Sequence, residues 1–548
     1  MKKRLLALLI CTCMLFTACS KSTTEPKKDT TDNNAVKEEQ TTVDKEDSTD
    51  QEVTADSPAA QVIAERKAKA EKDGEYQKVV FAFFAWTGAP AGLERINNLI
   101  NERTRELLGL EVELMVMDFA SYAQNVRLMI SSGEQLDLFN STSIGYTTAV
   151  NDGFCYDLEK DGLIQTYGSD IFNYLDQVYV DACRINGTLY GITGMRDLAM
   201  SPFSIVIGEE YLDGIGFDYD SMYKDPNDKD FINTDLATIE DIFARLHEKY
   251  PDKTVFASSP NLIGQGTKVD MVGGDTFGVL LDPANSLKVE NLFTSDIFME
   301  MSSMAYRWNQ LGYISKDALT DDTSISSRIK AGSAMAMLTQ AKPGYKVQIS
   351  AECGRPMVVF HLAEDILKSS SVNGILWHIN EQSEDPVAAM QVFNAFYSDE
   401  ILSNLLVWGE EGKDYVVMDD GHITYPEGVD ANNSEYNHTM NWLLPNQYIA
   451  HVWEGNSLDL GQQTTNFNNN AAKSKALGFM FDNSEYAAQL TALTNVWKEY
   501  EKQFLCGFVD PEKTLPELDK RLKAAGLEEY IAAKQKQLDE WAAANGVK

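Results

Sequence analysis

The chain has 548 residues, with 47 Lys and Arg against 83 Asp and Glu, a formal net charge of −36, and 44% hydrophobic residues. That length allows two or three domains, each with its own core. So acidic a chain repels nucleic-acid phosphates and anionic lipid surfaces, and a polyanionic ligand would need a local basic pocket. Neutral or cationic ligands fit the charge.

Met1-Lys2-Lys3-Arg4 opens the chain with positive charge, and an apolar run follows over 5–14. The run is too short to cross a bilayer. Leu15-Phe16-Thr17-Ala18-Cys19 follows, after which the sequence turns polar. This is the pattern of a secretory signal peptide over 1–18, cut between Ala18 and Cys19. Thr17 and Ala18 are small enough for a signal peptidase. Cys19 offers a thiol for diacylglycerol, whose buried methylenes anchor at roughly 0.8 kcal/mol each. The segment resembles the lipoprotein box of bacteria, with Phe16 where Leu is usual; the alternative is an ordinary signal peptide cut elsewhere. Residues 19–77 read as a disordered polar tether, since 21–53 is almost wholly Lys, Thr, Asp, Glu, Asn, Ser and Gln. A short helical pattern at 57–72 carries nothing that demands docking.

Beyond Cys19 the cysteines are Cys155, Cys183, Cys353 and Cys506, with no Cys-x-x-Cys among them. Neither a zinc ribbon nor a thioredoxin-like site is indicated. Cys155 and Cys183 either pair or are simply buried small hydrophobes.

The folded part begins at Lys78. Val79-Val80-Phe81-Ala82-Phe83-Phe84 predicts a strand covered on both faces. A helical stripe from Leu93 to Leu108 is stopped by Gly109. A second strand follows over 112–116, then a helix over 122–130 capped by Asp118 or Ser121, then a third strand over 136–140. Strand, helix, strand, helix, strand with short connections predicts a doubly wound α/β lobe. Ligands of such sheets lie beyond the carboxyl ends of the strands. Those ends carry Trp86 and Thr87, Asp118, and Asn140 with Ser141.

Ser131-Ser132-Gly133-Glu134 before Leu136-Asp137-Leu138-Phe139, and Asn186-Gly187-Thr188-Leu189-Tyr190-Gly191-Ile192, resemble segments of the bacterial extracellular solute-binding proteins of family 1. Thr193 stands where that family usually has Pro. Asp385-Pro386-Val387-Ala388-Ala389-Met390, Val407-Trp408-Gly409-Glu410-Glu411-Gly412 and Val452-Trp453-Glu454-Gly455-Asn456 resemble its LplA/LipO-like lipoprotein branch. The resemblance runs from about Lys78 to the end of the chain. It implies a two-lobed α/β fold of the periplasmic-binding-protein kind, type II-like, with a hinge and an interlobe cleft. The expected lobes are 78–195 with 375–440, and 196–374 with 441–548. Crossings are expected near 192–202 and 372–378, a strand entering the second lobe over 205–212, and a small-residue strand over 331–337. The tail from Pro511, with Leu515, Leu518, Leu522, Leu527, Tyr530 and Ile531 among charges, reads as amphipathic helices on the second lobe.

Catalytic signatures are missing from the sequence: it has no Gly-x-Ser-x-Gly, no His-Glu-x-x-His and no phosphate-binding Gly-x-x-x-x-Gly-Lys-Ser/Thr. His247-Glu248 is only half a zinc motif, and the acidic loop over 225–230 does not fit calcium. No metal or cofactor is expected. Sugars pack their C–H faces on aromatic rings and need polar groups at the ring edge. Trp86 is therefore a ligand contact or lobe core, and Asn140 with Ser141 a ligand contact or a helix cap. The family's first crossing puts Arg196 and Asp197 at the cleft, with a hinge ion pair as the alternative. Gln340 and Tyr345 fall where relatives carry a cleft aromatic, Trp377 falls on the return crossing, and Trp442 and Trp453 bracket a late segment facing the cleft. Trp408 is expected in a helix core, and Trp497 and Trp541 in packing. The implied function is a lipid-anchored receptor on the extracellular face of a Gram-positive membrane. It would be a monomer that hands an oligosaccharide to an ABC permease. A peptide or amino-sugar receptor and a secreted glycoside-degrading enzyme are the alternatives.

Overall fold

A computed structural model describes residues 57–548 apart from 87, 225–229, 259–261, 322, 432 and 437–439, all within one unit, Val53–Lys548. The signal peptide, Cys19, the first part of the tether, Thr87 and the loop 225–229 lie outside the described residues. The remainder of the expected tether does not: Pro58–Asp73 is a helix, α1. Ser57 caps it by accepting from the Ala60 N–H, and Gly74 ends it in the left-handed region at φ 74°. Arg66 is buried and donates to Gln391 Oε1 at 2.9 Å, with Asp385 at 3.6 Å. The helix is docked on the first lobe by Arg66, by the buried Ala70, by Ile63 against the first core and by Gln391 donating to the Ala59 carbonyl. A composition-based reading of 57–77 misses these contacts.

A strand covered on both faces must be apolar without a break, and β1 (Gln77–Ala85) is buried from Val79 to its end. It pairs in parallel with β2 (Leu110–Asp118) and β3 (Leu138–Asn140), through α2 (Leu93–Leu108) and α3 (Phe119–Ser132). After β4 (Ile192–Thr193) the chain crosses to β5 (Ser201–Gly208), β6 (Ile232–Asn233), β7 (Thr254–Ala257), β8 (Ala334–Ala341) and β9 (Met357–His361). It returns through β10 (Ile366–Leu367) to lay β11 (Leu376–Ile379) antiparallel against β3. The first sheet has the order β2-β1-β3-β11-β4, and the second β6-β9-β5-β8-β7. The strand expected over 205–212 ends at Gly208, where Glu209 and Glu210 start a helix whose N-terminus their charges favour. The small-residue strand lies three residues later than 331–337.

Each sheet has its own core. Phe81, Phe139, Trp377 and Phe396 fill the first; Phe243, Phe256, Trp308 and Phe293 fill the second. Residues 441–471 were expected in the second lobe, yet Leu443, Leu444, Ala450 and Phe467 pack into the first core, and Ala476 and Phe479 begin the second. The crossing therefore falls at β12 (Ala472–Lys473). Between 441 and 471 no strand joins either sheet, so no periodicity announces which core its apolar residues fill. The helices Pro511–Ala524 and Leu527–Asn545 bury Leu515, Leu518, Leu522 and Tyr530 in the second core. All four cysteines from Cys155 onward are buried and unpaired.

Candidate functional site

Three short crossings connect the two sheets, and they run side by side. The Met200 N–H donates to the Ile366 carbonyl at 3.0 Å, and the Ile366 N–H returns the bond at 2.9 Å. On its other side β10 pairs in parallel with β12, with Ala472 N–H on the Asp365 carbonyl and Ser474 N–H on that of Leu367. A buried amide pins this ribbon. Asn468 Oδ1 accepts from the Leu198 and Ala199 N–H groups at 2.9 and 3.0 Å, and Nδ2 donates to the Arg196 carbonyl at 2.8 Å. From the second lobe, the buried Asp270 carboxylate accepts from both the N–H and the hydroxyl of Ser369, each at 2.7 Å. Burial raises the Asp270 pKa and lowers that of Lys368 to about 8, whose Nζ donates to the Gly264 and Thr267 carbonyls.

A cavity of about 360 Å³ opens against this hinge, lined by Arg196, Asp197, Gln340, Lys342, Ser371 and Ile375 among others. Lys342, at the end of β8, forms a half-buried ion pair with Asp197 on the first crossing at 3.0 Å. Arg196 is buried and donates from Nη1 to the Asp197 carbonyl at 3.0 Å and from Nη2 to that of Ser371 at 2.6 Å. Desolvation lowers its pKa, opposed by the nearby Asp197 charge. Gln340 donates to the Gly264 carbonyl at 2.8 Å. Arg196, Asp197 and Gln340 thus come together, joined by Lys342 and by Ser371, which sequence reasoning did not single out.

At the carboxyl end of β1, Trp86 is 53% exposed, with its ring against Phe119 at 4.6 Å between centroids. Asp118 is exposed and caps α3, its Oδ1 accepting from the Ala120 N–H at 2.9 Å. Asn140 is fully buried; its Oδ1 accepts from Thr142 while its Nδ2 has no partner among the described residues. Ser141 is buried too and lies 2.7 Å from His378 Nε2. His378 Nδ1 sits 2.7 Å from the Tyr190 carbonyl, so Nδ1 carries the proton and Nε2 accepts from the Ser141 hydroxyl. Full burial pulls the His378 pKa down to about 4.

Of the other expected contacts, Trp377 and Tyr345 are buried, and Trp442 and Trp453 are half-buried. Trp377 is 1% exposed, its ring 4.7 Å from that of Phe81, and its Nε1–H donates to the Leu443 carbonyl at 2.8 Å. It is core because β11 is an interior strand of the first sheet. Tyr345 is also buried, its hydroxyl 2.5 Å from that of Thr339, at the start of α4 (Tyr345–Cys353). Trp442 packs, half-buried, on the first core. Trp453 is half-buried between the rings of Tyr425 at 4.6 Å and Trp408 at 5.3 Å. Nearby, a second groove of about 880 Å³ separates α4 from the segment that leads into α5 (Leu460–Asn470), with Lys346, Ser350, Asn456 and Gln463 on its walls.

Two α/β lobes, joined by three adjacent crossings and sharing a cavity at the junction, have the fold of the two-lobed solute-binding proteins. The N-glycan transport solute binding protein (NgtS) of Streptococcus pneumoniae superposes with a TM-score of 0.73 at 22% identity, over 85% of this chain and 98% of that one. The same protein in complex with Man5GlcNAc superposes at 0.60, again at 22% identity and over the same shares of the two chains. In sequence, a "Carbohydrate ABC transporter substrate-binding protein" of S. pneumoniae is 24% identical over 480 residues, 86% of this chain and 92% of its own length. Residues 475–543, which run from the third crossing through the C-terminal helices, match a family model described as a domain of unknown function, DUF3502.

Proposed function

We propose that this chain is the substrate-binding protein of an ABC importer and that it captures an oligosaccharide between its lobes. The observation that carries the proposal is the hinge: three paired crossings, with a cavity lined by both the crossings and the end of a second-lobe strand. Closure is favoured when a ligand touches both lobes at once, because only the closed form makes both sets of contacts. Trp86, exposed at the first sheet's carboxyl edge, supplies an apolar face for a sugar ring; Asp197, Gln340 and Lys342 supply groups for hydroxyls. The likeness to an N-glycan transport protein and to a carbohydrate ABC transporter protein supports a glycan as the ligand.

In this proposal the protein binds without chemistry and the permease is a separate membrane protein. The chain acts as a monomer of the LplA/LipO-like branch, acylated at Cys19 after removal of 1–18 and held on the extracellular face of a Gram-positive membrane. Thermal melting against a panel of N-glycan-type oligosaccharides tests it. A ligand that binds only the folded protein raises Tm with concentration, about 2.7 kcal/mol of stabilisation at a hundredfold excess over Kd. The expected result is a saturable rise with one glycan class and recovery of that glycan intact. A rise with peptides and none with any glycan, or a glycan returned shortened, overturns it.

A further inference from the structure

The hinge cavity has an electrostatic peculiarity. Burying a charge is costly unless it is paired and hydrogen-bonded. Arg196 is nine-tenths buried, yet its guanidinium meets only the carbonyls of Asp197 and Ser371. Among the described residues no carboxylate lies within ion-pair distance of it, and its Nε is buried without any hydrogen-bond partner. The same cavity holds Lys342, whose single carboxylate partner among the described residues is Asp197. Two cations thus face one carboxylate in a chain whose net charge is −36. Such a local basic pocket is what an anionic ligand would need in so acidic a protein. Guanidinium recognises carboxylate better than it does a hydroxyl, through charge-assisted and often paired hydrogen bonds.

We propose that the hinge cavity receives a carboxylate-bearing sugar at the end of the oligosaccharide, its carboxylate drawing Lys342 away from Asp197 beside the buried Arg196 charge. This rests on the oligosaccharide function proposed above and narrows it to acidic glycans. The cavity, at about 360 Å³, has the volume for a terminal sugar unit rather than a long chain. The rest of the glycan would run outward towards Trp86 or the larger groove beside α4.

Matched pairs of ligands test the inference by calorimetry on the full chain: a sialylated N-glycan against its desialylated form, and a uronate-ended oligosaccharide against its carboxyl-reduced form. In at least one pair the acidic member should bind about tenfold tighter or more, and the preference should shrink as salt rises. Arg196→Gln should reduce it to about twofold or less. Since that change also alters the hinge, Lys342→Gln, at a half-buried position, provides an independent variant with the same expected direction. Equal binding within both pairs overturns the inference and leaves the oligosaccharide function standing. A preference that survives both substitutions removes Arg196 and Lys342 from the recognition. No binding by either member of either pair removes the oligosaccharide function itself, and the inference with it.

Discussion

Trp377 and Trp86 belong to the same sheet and have opposite fates. Trp377 lies within β11, an interior strand, where Phe81, Phe83 and Phe393 surround it and it is 1% exposed. Trp86 lies one residue past the end of β1 and is 53% exposed. The interior of the first sheet is a packed aromatic core that fixes one lobe as a rigid body, whereas its carboxyl edge offers surface to something else. Position along a strand, rather than residue type, separates the two.

That contrast can be broken most sharply from the core side. Trp377→Ala should destabilise the protein by about 3–5 kcal/mol in chemical denaturation, the usual cost of emptying a large buried aromatic site. Ligand affinity of the remaining folded fraction should be unchanged; a variant of near-normal stability but weakened affinity would move Trp377 to the ligand. His378, next on the same strand, gives a pH signature. Its folded pKa of about 4 lies below the ordinary 6.5, so the unfolded chain binds the extra proton first. Stability from this residue is full above pH 6.5 and is lost as pH falls towards 4, by about 3 kcal/mol. In urea titrations from pH 7 to 4, wild type should lose its advantage over His378→Gln; a difference that stays constant across that range contradicts buried, neutral His378.

Smaller effects belong to the hinge and the edge. Asn468→Ala removes an amide that satisfies two N–H groups and one carbonyl of the first crossing. It should cost about 1–3 kcal/mol and speed hydrogen exchange at the Leu198 and Ala199 amides; unchanged protection there would show that the crossing is held by other contacts. Trp86→Ala should shift unfolding free energy by less than about 0.5 kcal/mol, as surface changes do, while weakening glycan binding about tenfold. Equal affinity in calorimetry would return Trp86 to the status of an ordinary exposed residue.

The same contrast explains what was legible in the sequence. The run from Val79 to Phe84, the stripe ending at Gly109 and the cap at Asp118 announce the first lobe because burial on a periodic element leaves a pattern. Arg196, Asp197 and Gln340 were reachable through family resemblance, and they share one cavity. Trp377 and Tyr345 were misplaced because an aromatic that fills a core and one that holds a sugar look alike in one dimension. The hinge was hidden for another reason. β10 and β12 are two residues long and pair through backbone atoms that every residue possesses, and Asn468 acts across 272 positions on a carbonyl without side-chain identity. The docking of α1 likewise involves Arg66 meeting Gln391 and Asp385, partners far along the chain.

In the proposed mechanism two rigid lobes close about this hinge when an oligosaccharide occupies the cleft. Small-angle X-ray scattering of the protein, titrated with the glycan class that raises its Tm, tests it directly. The radius of gyration should fall saturably, with the same midpoint as binding. A radius that stays constant while the glycan is demonstrably bound would contradict it, and would make the three crossings a fixed connection rather than a hinge.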